Sequence, residues 1–235
     1  MKVFPLTEKL RRNIMKLKRA NFRVRDFIKL EAPSFDTLIV IGDGNLDGIV
    51  AAIIAHHMNG AKTVAMTIPE CESGYASPTR CTGDIVLEIA IKSKFMKKFS
   101  TMLFIIDQED APRVGDVFRN ITCRLENCGV DFTDIDKTCN DRVKAFKCKT
   151  GGWAFDLVCV VNGLDDVPSE KHCIEDHLVK VGNLKLIDND SKKTWWALEK
   201  SRQYEILGRL SDKSVVEKFF PQHICAFQLI EQQTD

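Results

Sequence analysis

The chain has 235 residues, of which 44% are hydrophobic and 29% charged, with 34 basic side chains against 33 acidic. This composition supports a buried core and excludes a disordered or fibrous chain. No apolar run approaches the ~20 residues that span a bilayer, and residues 1–12 lack the apolar core of a signal peptide, so a soluble, cytoplasmic protein without membrane contact is expected.

The near-neutral total hides a split. Residues 2–29 hold ten basic side chains and two acidic ones, leaving 24 basic against 31 acidic in the rest. A basic arm on an acidic body hints at a polyanionic partner for the arm. Within it, Leu6, Leu10, Ile14, Leu17, Val24, Phe27 and Ile28 recur at helical spacing. Arg11, Arg12, Lys18 and Arg19 fall largely on other faces, where they are either a solvated surface or a track for a phosphate backbone. Ala32-Pro33-Ser34 marks the joint between an arm, residues 1–32, and one α/β domain, residues 33–235.

The body alternates strand and helix. Thr37 to Ile41 (TLIVI) reads as a buried strand, followed by a glycine-rich turn and a helix from Ile49 to Met58. Lys62 to Ile68 reads as a second strand, Cys71 to Gly83 as a loop, and Ile85 to Phe99 as a helix. Met102 to Ile106 (MLFII) is a further apolar strand, and Pro112 sits where a helix to about Leu125 would begin. Val130–Ile135, Arg142–Cys148 and Phe155–Val161 read as strands, with a turn at Gly151-Gly152; Ser169–Val179 and Ser191–Leu207 read as helices. The pattern predicts an α/β fold: a largely parallel central sheet with flanking helices in three Rossmann-like layers, plus the basic N-terminal helix.

Ligands of open α/β sheets bind beyond the carboxyl ends of the strands. Two acidic clusters fall there: Asp43 with Asp47 after TLIVI, and Asp107 with Glu109 and Asp110 after MLFII. Taken singly, each is also an ordinary set of turn and cap residues. Together they concentrate negative charge that a cation would neutralise, and hard oxygen donors of this kind suit Mg2+ or Mn2+.

The runs TLIVIGDGNLDGIVAAI and MLFIIDQEDAPRVGDVFRNI resemble the TOPRIM fold, shared by topoisomerases, primases and small nucleases including the OLD type. Asp43-Gly44 stands where that pattern has a Glu-Gly pair, and Asp107-Gln108-Glu109 where it has Asp-x-Asp. The likeness is nearest to small stand-alone TOPRIM-like proteins of uncertain function. It implies Mg2+-dependent phosphoryl transfer on nucleic acid, DNA or RNA, with Asp43, Asp107 and Glu109 catalytic. Asp43, Asp47, Asp107, Glu109 and Glu175 would form the metal set. A lysine assists some OLD-type nucleases, and here Lys213 is the candidate, with Lys192 and Lys193 as rivals. The reading leaves room for a homodimer.

GDGNLDGIVAAI is also similar to the first motif of DHH phosphoesterases, through Asp43, Asn45, Asp47 and Gly48, with Asp107 as that family's next ligand. The family's Asp-His-His is missing. That resemblance implies hydrolysis of small phosphodiesters or nucleotides. A third reading is a degenerate TOPRIM-like module that binds nucleic acid or protein without turnover.

Other signals read more simply. His56 and His57 are adjacent and diverge by about 100° on a helix, which suits structural roles. Asp190 or Ser191 suits a helix cap. Of Trp195 and Trp196, one is expected in the core, although a base-stacking role is open to them. The nine cysteines, with no CxxC among them, are expected to be reduced thiols.

Overall fold

In the computed structural model the described residues are 37–42, 45–58, 64–67, 83–92, 99–135 and 139–232. The basic arm, Asp43 and the loop around Cys71–Arg80 lie outside them.

TLIVI forms β1 (Thr37–Ile41) and TMLFIID forms β3 (Thr101–Asp107), each buried along its whole length. Runs of β-branched and aliphatic residues with no polar alternation suit strands covered on both faces. With β2 (Val64–Thr67), β4 (Asp131–Asp134), β5 (Val143–Thr150) and β6 (Trp153–Asn162), they build a six-stranded sheet in the order β2-β1-β3-β6-β5-β4. The strands β2, β1, β3 and β6 run parallel. Strand β5 is antiparallel to both its neighbours. The sheet is therefore mixed around a parallel core. Gly151 and Gly152, with φ of 50° and 81°, provide the two-residue turn of the β5–β6 hairpin; positive φ at both positions is what a turn matching the strand twist requires.

Alternate residues of each strand serve opposite layers. Ile39, Ile41, Leu103 and Ile105 face a cluster that includes α1 (Asn45–Met58), α4 (Ile174–Gly182), α5 (Ser191–Ala197), α6 (Lys200–Arg209), α7 (Lys213–Phe219) and α8 (Pro221–Gln232). Leu38, Val40, Phe104 and Ile106 face α2 (Ile85–Lys92) and α3 (Val114–Asn127). Among the described residues no helix is long and apolar enough to cross a membrane.

Several expected boundaries move. Helix α1 starts at Asn45 rather than Ile49, which places Asp47 in its first turn. Helix α3 starts at Val114 with Arg113 as its N-cap, so Pro112 precedes the cap. Helix α4 starts at Ile174, five residues beyond the expected Ser169. The single helix expected over Ser191–Leu207 is two, because Leu198 and Glu199 adopt extended ψ values of 146° and 147°. The expectation of reduced cysteines is corrected at one pair: Cys139 and Cys225 form a disulfide, with Cα atoms 6.1 Å apart. They are 86 residues apart in sequence, so no local spacing announces the bond; it forms because α8 packs against β5 and β6.

Candidate metal centre

The strand order places the site. From β1 the chain passes through α1 to β2 on one side, while β3 lies on the other side of β1. The crevice beyond the carboxyl ends of β1 and β3 is thus the switch point at which open α/β sheets bind ligands.

Four elements bring side chains there. Asp107 ends β3 and is in register with Asn162 at the end of β6. Asp47 comes from the first turn of α1, where a helix N-terminus favours negative charge. The amide of Asn162 joins them: its Nδ2 donates to Asp47 Oδ1 at 2.6 Å and to Asp107 Oδ1 at 2.9 Å. All three residues are at most 4% exposed, and the two amide hydrogens are thereby spent on two carboxylates.

The fourth element is α4. Glu109 N donates to His172 O at 3.0 Å, in an isolated bridge that fastens the end of β3 to the segment entering the helix. Ile174 N donates to Asp107 Oδ1 at 3.1 Å, so Asp107 also closes the first turn of α4. This docking sets Cys173, the N-cap, and Glu175 beside Asp107; one ligand atom from each of the three lies within 4.8 Å of the others. Cys173 and Glu175 are buried. Glu175 Oε2 and Asn162 Oδ1 have no hydrogen-bond partner, an expensive condition for buried polar atoms that a cation would relieve.

The electrostatics agree with the geometry. Burial pushes the Glu175 carboxyl above its usual range, with Cys173, Lys192 and Trp196 acting in the opposite direction. The Cys173 thiol is pushed up by burial and then by Glu175, Asp107 and Asp176. Lys192, from α5, lies 3.3 Å from Asp107 Oδ2 and pairs with Glu109. Burial alone would lower its pKa, but the two carboxylates outweigh that and hold the ammonium charged.

The expected site is only partly assembled. Asp47, Asp107 and Glu175 come together; Asp43 lies outside the described residues, as do Arg11, Arg12, Lys18 and Arg19. Glu109 is not in the buried group. Its φ of 51° turns the backbone away from the strand, and its carboxylate sits 37% exposed against Lys192. Among the lysines, Lys213 opens α7 and pairs with Glu217 one turn on, while its rival Lys192 reaches Asp107. Lys193 pairs with Asp188 outside the group. Asn162 and Cys173 were not among the expected residues. An Asn-Gly after a strand reads as a turn, and only register with Asp107 reveals the role of Asn162.

The segment after Asn162 has its own requirement for glycine. Gly163 has a φ of 115°, and a Cβ there would collide with His172. Its amide donates to His177 Nε2 at 3.3 Å and its carbonyl accepts from Gln222 Nε2 at 3.0 Å. His177 Nδ1 lies 2.5 Å from Phe219 O, so the neutral imidazole donates there and accepts at Nε2.

The weaker signals resolve as structure. Asp190 caps α5 by accepting from Lys193 N, and His57 bonds Leu210 O at 2.6 Å. Trp195 is buried, whereas Trp196 is 58% exposed with Lys200 Nζ 5.0 Å from its ring centroid.

Comparisons with family models, curated proteins and solved structures find no match for the chain.

Proposed function

We propose that the protein is a divalent-cation-dependent hydrolase of phosphodiesters, acting on nucleic acid at the crevice between β1 and β3. The observation that carries the reading is one amide, Asn162, holding Asp47 and Asp107 side by side while Glu175 Oε2, buried in the same group, has no partner. Carboxylates gathered at a switch point, with a donor deficit among them, fit a cation better than they fit an empty core. Asp107 and Glu175 would hold the cation, with Asp47 beside them; bound there, it would supply Lewis-acid polarisation of a phosphoryl oxygen and a water acidified for attack.

The chain's own groups would do the rest. Asn162 fixes the two carboxylates so that neither reorients during the reaction. Lys192, at the rim against Asp107 and Glu109, is placed to bind a substrate phosphate. Trp196 offers an exposed ring in the same helix as Lys192, a face on which a nucleobase can stack. Residues 1–32, with Arg11, Arg12, Lys18 and Arg19, would add sequence-independent contacts to a phosphate backbone.

The test is a hydrolysis assay on the full chain with Mg2+, Mn2+ or Zn2+, offering single- and double-stranded nucleic acid and a small phosphodiester. Cation-dependent cleavage of nucleic acid that disappears in Asp107→Ala is the expected result. Absence of turnover with every cation and every substrate would overturn the proposal.

A second reading, a DHH-like phosphoesterase acting on small phosphodiesters or nucleotides, draws support from one detail. The carboxylate that shares Asn162 with Asp107 is Asp47, the last acid of the Asp43–Asp47 run, and not Glu109 of the Asp-x-Glu run. Hydrolysis of the small phosphodiester with nucleic acid left intact would favour it.

A further inference from the structure

The group beside Asp107 is not made of oxygen alone. We infer that Cys173 is a ligand of the cation proposed above, and that the site therefore takes a borderline metal of the Zn2+ class in preference to Mg2+. The inference rests on the cation-site reading and goes beyond it by naming the donor that sets metal identity.

The geometry places Sγ of Cys173 among the donors. Cys173, Asp107 and Glu175 each offer an atom within 4.8 Å of the other two, about twice a metal–ligand bond of ~2.0–2.3 Å. Cys173 is free of any disulfide and wholly buried. Its backbone is held by its position: it is the N-cap of α4, between the His172 bridge to Glu109 and the Ile174 bond to Asp107. A thiol beside two buried carboxylates joins a soft donor to two hard ones, a mixed set that packing alone does not call for. Cys148 and Cys159 show the ordinary alternative, buried among hydrocarbon on the other face of the sheet.

The independent sign that a ligand belongs here is Glu175 Oε2, unpartnered on a residue 4% exposed. Mg2+ demands oxygen donors in near-octahedral array and does not favour thiolate, whereas Zn2+ and its mimic Co2+ accept thiolate and carboxylate together in four-coordinate sites. On binding, the thiol gives its proton to solvent and the sulfur lone pair forms the metal–sulfur bond. Thiolate, Asp107 and Glu175 then supply three negatively charged donors to the dication.

The experiment titrates the full chain with Co2+ and records its absorption spectrum. A near-ultraviolet thiolate-to-Co2+ charge-transfer band is expected in the native chain and its loss in Cys173→Ser. Zn2+ affinity in that variant is expected to fall by at least the roughly tenfold that losing an outer-sphere partner causes, with Mg2+ affinity unchanged. Cys123→Ser, at an exposed thiol, is expected to keep the band. Far-ultraviolet circular dichroism checks that Cys173→Ser folds, and the native spectrum decides the matter if it does not. Co2+ bound with no thiolate band, or a band that survives in Cys173→Ser, overturns the inference and leaves the cation site standing. No binding of Co2+, Mn2+ or Mg2+ overturns both.

Discussion

The helices on one face of the sheet bury only hydrocarbon. Those of α2 and α3 are Val86, Leu87, Ala90 and Ile91, then Val117, Phe118, Ile121 and Leu125. On the opposite face, α1, α4, α6 and α8 also bury Asp47, Glu175, Asp176, His177, Gln203 and His223. Both layers solve the same problem, covering a parallel core that cannot be left wet. Only one solves it with groups whose burial is costly unless they find partners. The cysteines repeat the lesson. Burial pushes Cys148 up to about 12 and Cys159 well above its ordinary value, and it pushes Cys173 up as well; what separates Cys173 is its neighbours, three carboxylates at the N-terminus of α4 in place of hydrocarbon. One face buries hydrocarbon alone; the other gives up some hydrocarbon packing to gather buried polar and ionisable groups.

The contrast can be broken most forcefully on the apolar side. Phe118→Ala removes a ring that is 3% exposed and is expected to cost about 3–5 kcal/mol of unfolding free energy, read by urea denaturation. Cation affinity of the remaining folded protein should not change. A matching loss of affinity would mean that the two faces are not independent.

Acid should act on the polar face. The His177 pKa is lowered to about 4 from 6.5, chiefly by burial, although its bond to Phe219 opposes the shift. The folded state thus holds this imidazole neutral while the unfolded chain protonates it below pH 6.5. Stability from this group is complete above 6.5 and falls as pH drops towards 4, by about 3 kcal/mol in all. His223, lowered in the same direction by burial, adds to the fall, whereas Glu175, raised in the folded state, opposes it. Urea midpoints between pH 7 and 4.5 should show a shallower decline in His177→Gln than in the native chain; parallel declines would remove His177 from the account.

Two adjacent lysines give the smallest and most local test. Lys192→Met removes a positive charge beside Asp107 and should tighten divalent-cation binding several-fold, since the ammonium and the cation compete for the same carboxylates. Lys193→Met, which breaks only the exposed pair with Asp188, should leave both affinity and thermal midpoint unchanged. Equal effects from the two would show that the pocket responds to general charge and not to a local contact.

How much of this was legible beforehand follows from what each residue depends on. TLIVI and MLFII are continuous apolar runs, and their burial on both faces follows from local composition. Asp47 and Asp107 could be marked because strand ends are where α/β sheets bind ligands, whereas Glu175 entered only through the resemblance to the TOPRIM pattern. Asn162 and Cys173 could not, since each acquires its role from a residue far along the chain: Asn162 from its register with Asp107, Cys173 from the docking of α4 on β3. Glu109 lies apart from the buried group because a positive φ at that position breaks the strand alternation that spacing assumes. Helix α8 escaped notice because it is buried on several sides, with Gln222 and His223 inside the core, and shows no clean apolar stripe. The break at Leu198-Glu199 carries neither glycine nor proline to announce it.

The central claim is that the crevice beyond β1 and β3 binds a divalent cation through Asp107. Isothermal titration of the full chain with Zn2+ and Mn2+, repeated on Asp107→Asn, tests it most directly. The account requires a saturable site of one cation per chain in the native protein and its loss in Asp107→Asn, a variant that keeps the shape of the side chain and removes its charge. No saturable binding in the native chain, or binding undiminished in Asp107→Asn, would contradict it.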